Sequence, residues 1–139
     1  MEFLIKPPIS WNEKTSQNEF NIYDQIFCEY KDSDIVFKII KENLEVLELS
    51  KIDCINFSTN LSIEIMNNIV QKKKNEQLKI FGILGASEES VIFMLSSLFL
   101  GAHHCICFED LSEEAICQRI KLFKPDIVLS RKKLESKLS

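Results

Sequence analysis

From residue 78 to residue 130, short apolar runs alternate with longer segments of helical periodicity. LKIFGIL (78–84) is a run of strand length. Gly85 and Ala86 turn the chain. Ser87 then predicts an N-cap, followed by Glu88 and Glu89 where a helix dipole favours negative charge. The helix predicted through SVIFMLSSLFL stops at Gly101, a residue suited to the first position past a helix end. HHCICF (103–108) predicts a second strand. Ser112-Glu113-Glu114 repeats the start signal, a second helix runs into Lys124-Pro125, and DIVLS (126–130) predicts a third strand. Strand–helix–strand–helix–strand with short connections predicts an α/β fold, a βαβαβ parallel-sheet unit over about residues 78–130 with right-handed crossovers.

The two predicted helices differ. Val91, Ile92, Phe93, Met94, Leu95, Leu98, Phe99 and Leu100 make the first apolar nearly all round, so it needs a sheet on one side and another layer behind it. The second sets Ile116, Ile120 and Phe123 against Glu113, Gln118 and Lys121, the pattern of a helix with one solvated face.

The N-terminal half is patterned less sharply. Residues 1–19 carry Pro7, Pro8, Asn12, Ser16 and Asn18 and read as a surface arm anchored by Trp11. Residues 20–27 have the spacing of a short helix. DIVFKII (34–40) reads as a strand, and LEVLEL (44–49) as a second one with imperfect alternation. Residues 50–70 predict a helix broken near Ser58-Thr59-Asn60 and closing on the charged QKKKNEQ.

Composition narrows the classes. At 139 residues, 45% apolar and 27% charged, the chain has the make-up of one globular domain. A net charge of −4 supplies no basic field for nucleic acid or anionic lipid, and the lysines at 72–74 and in RKKLESKLS read as solvated runs. Five cysteines, an odd number, behind an opening too short in apolar residues for a signal core point to free thiols and a cytoplasmic protein. VIFMLSSLFLGA is too short to span a bilayer.

HHCIC (103–107) is the one stretch that suggests metal ligands. Strand alternation puts His103, Cys105 and Cys107 on one face and His104 and Ile106 on the other, and Cys-x-Cys lacks the gap of a zinc knuckle. A buried strand with thiols as small packing groups is the simpler reading. Gly82-Ile83-Leu84-Gly85-Ala86-Ser87 lies between strand and helix, as a nucleotide loop would. It fits neither glycine spacing of the phosphate-binding motifs, and Glu88 and Glu89 would repel a phosphate. No nucleophile elbow is present, and Arg119 with Glu113 or Glu114 reads as a solvated helix pair. No catalytic, cofactor-binding or metal residue is assigned on these grounds.

The order of residues adds more. In SVIFMLSSLFLGAHHCICFEDLSEEAICQRIKLFKPDIVLS, Met94-Leu95, Gly101-Ala102, His104, Phe108, Ser112, Ala115, Arg119-Ile120 and Pro125 fall in gapless register with a segment of the AMP-forming acyl-CoA synthetases. The chain resembles the acetyl- and propionyl-CoA synthetase branch of that adenylate-forming superfamily, and HHCIC resembles the branch's HSVVF strand. Upstream, ISW (9–11) resembles its tryptophan segment, Phe20-Asn21-Ile22-Tyr23-Asp24-Gln25 its YNxxDR motif with Gln25 for arginine, and LELSK (47–51) its strand and turn. The likeness covers about residues 9–130. It departs where the family has Gly-Asp before the first strand, here Gln77-Leu78, and glycines after the second, here Glu109-Asp110.

The resemblance implies a partial version of the synthetase large domain: residues 1–19 an arm, 20–130 an incomplete AMP-binding domain, 131–139 a basic tail. It implies kinship with acyl adenylation by ATP and magnesium followed by thioester formation with coenzyme A. The family's phosphate loop, adenine and ribose motifs and catalytic lysine have no counterpart in these residues, so no site residue is carried over and no cofactor is expected for this chain alone. Three readings follow. The chain is a truncated or split N-terminal synthetase piece, inactive alone, with a complementary fragment or its own open sheet edge as partner. Otherwise it is a stand-alone, non-catalytic interaction module, or, most distantly, a metal-binding protein. Neither nucleic acid nor membrane is an expected partner.

Overall fold

The computed structural model describes residues 22–41, 43–69 and 77–131. The predicted arm with Trp11, residues 20 and 21 of the predicted first helix, residues 70–76 with all but the last residue of the charged QKKKNEQ run, and the tail beyond Arg131 lie outside them. The elements in order are α1 (Ile22–Phe27), β1 (Ile35–Ile40), β2 (Val46–Ser50), α2 (Lys51–Asn68), β3 (Lys79–Ile83), α3 (Glu88–Phe99), β4 (His103–Cys107), α4 (Glu113–Phe123) and β5 (Ile127–Ser130). The predicted βαβαβ unit is present as a three-stranded parallel sheet in the order β4-β3-β5.

Adjacent residues of β3 show how the layers form. A side chain at Gly82 would come within 3.2 Å of the Phe93 ring of α3. Phe81, one position earlier, packs its ring 6.0 Å from that of Phe123 on α4. Successive strand residues point to opposite faces, so α3 and α4 cover opposite sides of the sheet. Behind α3 stand α2 and α1, which leaves Ile92, Phe93, Leu95, Ser96 and Ser97 buried. This is the two-sided enclosure that the apolar composition of α3 demands. α4 packs on the opposite side of the sheet and buries none of its residues fully.

β1 and β2 form a separate antiparallel hairpin. Phe37, Ile39, Leu47 and Leu49 share its inner face and pack on the core, while Lys38 and Glu48 pair at 2.6 Å on the outer one. β2 runs directly into α2 through a capping box: the Asp53 amide donates to Ser50 Oγ at 3.2 Å, and the Ser50 amide donates to the Asp53 carboxylate at 3.1 Å.

One expectation is corrected. α2 is continuous through Ser58-Thr59-Asn60. Ser58 stays in the helix because its hydroxyl donates back to the Cys54 carbonyl at 2.6 Å, and Ser62 does the same to Ser58 at 2.7 Å. Ser96 Oγ lies 2.7 Å from the Ile92 carbonyl and 3.0 Å from that of Ser58 across the interface, so small side chains bring α2 and α3 close. Ser87 is indeed the N-cap of α3, but its hydroxyl makes no cap bond; the nearby Ser90 hydroxyl binds the Gly85 carbonyl instead. Ser112 caps α4 as predicted, accepting from the Ala115 amide at 3.3 Å.

Candidate functional site

The chain leaves β3 towards one face of the sheet and β4 towards the other, and the order β4-β3-β5 places the topological switch point between the first and third strands of the unit, β3 and β5. Open α/β sheets hold their ligands in the crevice at such points. Here the Leu84 amide donates to the Cys107 carbonyl at 2.9 Å and ties the two exits together. Glu109, just past β4, turns its carboxylate over Gly85: Oε1 lies 3.1 Å from where a Cβ on Gly85 would sit. Arg131, just past β5, donates from Nη1 to the same oxygen at 3.3 Å. The pair therefore joins the exits of the two outer strands across the end of the central one. At the start of α3, Ser87 Oγ and Glu89 Oε2 are buried without hydrogen-bond partners among the described residues, and Glu89 is only 5% exposed.

This donor set does not fit a nucleotide phosphate. The glycine whose backbone an anion would approach is already covered by a carboxylate, and Glu88 and Glu89 occupy the first helical turn where the phosphate charge would lie. Among the described residues, no group of three or more His, Cys, Asp or Glu is placed to hold a metal ion.

HHCIC is strand β4, and its side chains divide as alternation requires. His104 meets Phe93 of α3 edge-on, ring centroids 6.0 Å apart, and burial holds its imidazole below the ordinary value. Cys107 faces the other way, towards α4. Burial and then Cys105 push its thiol up, and Arg119 opposes them. His103 is exposed. Cys54, fully buried in α2, is pushed up to about 11, mainly by burial and further by Asp53. A thiol held protonated is a packing group rather than a nucleophile.

Arg119 does not pair with Glu113 or Glu114 as expected. Its Nη1 donates to the Ala115 carbonyl at 3.2 Å, and Gln118 takes Glu114 at 3.4 Å. Sequence reading passed over the Glu109–Arg131 bridge. The available signal was that both residues directly follow parallel strands, at the end of the sheet where ligands bind.

Among the described residues, no helix is long and apolar enough to cross a membrane. No family model and no curated protein matches the sequence. Solved structures do match in fold. The acyl-CoA synthetase of Brucella canis superposes with a TM-score of 0.70 at 19% identity, over 86% of this chain and 21% of that one. MatB of Rhodopseudomonas palustris with ATP bound gives 0.61 at 13% identity, over 78% and 20%. The N-terminal subdomain of Klebsiella oxytoca NpsA gives 0.54 at 17% identity, over 81% and 31%. The chain spans between a fifth and a third of these proteins' lengths, and what it shares with them is part of their α/β fold.

Proposed function

We propose that this chain is the N-terminal portion of an AMP-forming acyl-CoA synthetase of the acetyl- and propionyl-CoA type, and that it catalyses nothing alone. The observation that carries the reading is the agreement of two likenesses. The fold matches a synthetase over 86% of the chain, and the ordered residues from Met94-Leu95 to Pro125 match the short-chain branch in gapless register. ATP, magnesium and coenzyme A would be handled by the remainder of such an enzyme, held in the same or a complementary polypeptide, because the mouth formed here refuses a phosphate. Acetate- or propionate-dependent ATP–pyrophosphate exchange tests this. The 139-residue chain should show none, and addition of the remainder of a short-chain synthetase should restore it. Exchange by the chain alone, or none in any combination that co-purifies, would refute the proposal.

One observation favours a second reading. Glu109 seals the point where the resembling family carries glycine, a change that suits a module kept for interaction rather than catalysis. A sharp monomer or dimer with a cooperative melt and no affinity for the remainder would select it.

A further inference from the structure

The carboxyl end of the sheet is closed by the protein's own charges. Glu109 Oε1 sits against Gly85 and is bonded by Arg131 Nη1 at 3.3 Å, so a carboxylate fills the place at the switch point where a ligand oxyanion would meet glycine backbone and guanidinium. We infer that Glu109 is a built-in plug, which occupies Arg131 and closes the carboxyl end of β3 to phosphate-type oxyanions. The inference stands on this chain's geometry and does not depend on the synthetase reading.

Four features bear on it. Gly85 has no side chain, and among the described residues the Glu109 carboxylate alone lies where its Cβ would be. An arginine fork is the side chain best matched to phosphate, and here it is turned to an internal carboxylate instead. Both partners are partly solvated, with side chains 44% and 39% exposed, and exposed pairs of this kind are weak. The bridge can therefore part without disturbing the core. Glu88 and Glu89 add negative charge at the same helix start, so with Glu109 in place the local field opposes an anion. Of these carboxylates Glu109 is the one that lies against Gly85 and bonds Arg131, so its neutralisation is the substitution that tests the plug.

The test is titration with inorganic phosphate followed by amide NMR, using E109Q, which preserves shape, and E109Q/R131Q. Wild type should show no saturable shifts. E109Q should bind at least tenfold more tightly, with the largest shifts at Gly85, Ser87 and Arg131, and the double variant should lose that binding. Thermal melts and the amide spectra establish that each variant is folded; E109A provides a second neutral form if E109Q is not. Equal behaviour of wild type and the neutral variants overturns the inference, and so does phosphate binding that survives loss of Arg131.

Discussion

The hydroxyl of Tyr23 lies 2.8 Å from Ser58 Oγ, a buried hydrogen bond between residues thirty-five positions apart. It ties the short α1 to the middle of α2. The tyrosine ring also sits edge-on to Phe27 at 5.3 Å and to Phe99 of α3 at 5.1 Å. A six-residue helix has little intrinsic stability, so α1 depends on its buried Tyr23 and Phe27 for its place. Tyr23→Phe keeps the rings and should lose about 0.5–1.5 kcal/mol, while Tyr23→Ala should lose roughly 3–5 kcal/mol, as large-aromatic truncations do. Urea denaturation with unchanged slope would measure both. A Tyr23→Phe variant as stable as wild type would show that the hydroxyl contributes nothing.

Gly82 and Gly101 are both needed, for different reasons, and the difference is measurable. A Cβ on Gly82 would meet Leu84 at 3.1 Å and Phe93 at 3.2 Å. Gly82→Ala should therefore cost about 1–3 kcal/mol through overpacking, and Phe93→Leu in the same chain should recover part of it. Among the described residues, a Cβ on Gly101 would meet nothing within 4 Å, but its φ is +61°. Gly101→Ala should cost about 1–2 kcal/mol from backbone strain alone, and no neighbouring substitution should relieve it. A double-mutant cycle with coupling at Gly82–Phe93 and none at Gly101–Phe93 is the expected pattern.

What the sequence revealed and what it concealed follow from the range of the forces involved. Ser112 and Gly101 act within a turn of their own helices, so their roles were legible. The apolar circumference of α3 required two neighbouring layers whatever they were. Ser58 misled because a polar residue amid apolar periodicity looks like a break, whereas a serine hydroxyl can bond its own helix and be buried. Glu109 and Arg131 are 22 positions apart and meet only because β3 lies between β4 and β5. Helix–strand alternation implies a parallel sheet without giving that order. The two histidines invited a metal reading until the pleat sent them to opposite faces.

The capping box at the start of α2 should shape the acid limb of stability. Hydrogen bonds from the Ser50 side chain and backbone hold the Asp53 carboxyl below its ordinary 3.8. A group with a depressed folded value stabilises above its unfolded value, and that contribution is lost as pH falls through the folded one. Stability should thus decline from about pH 4 downward, more gently in Asp53→Asn. Ser50→Ala, which removes the cap, should cost about 1 kcal/mol at neutral pH. Chemical denaturation from pH 7 to pH 2 would decide it; identical acid limbs in wild type and Asp53→Asn would rule out this carboxylate as a contributor.

Cys54 should govern the opposite limb, because its thiol is pushed up to about 11 by burial and by the nearby Asp53. The unfolded thiol ionises near 9.0, the ordinary value. Between these two values the unfolded chain releases a proton that the folded chain retains, so unfolding becomes easier as pH rises. Below pH 9 the contribution is intact, and by about pH 11 the folded thiol ionises as well and the slope ends. Cys54→Ala removes the ionisation and leaves a smaller side chain, so it should flatten this limb while lowering stability at neutral pH. Chemical reactivity reports the same burial independently. Cys28 and Cys117 are exposed, whereas Cys54 and Cys107 are buried. A thiol reagent under native conditions at pH 8 should label the first two rapidly and the buried pair only at the rate of unfolding. Peptide mass mapping that found Cys54 labelled as fast as Cys117 would mean that α2 is not closed over it, and the predicted alkaline limb would vanish for the same reason.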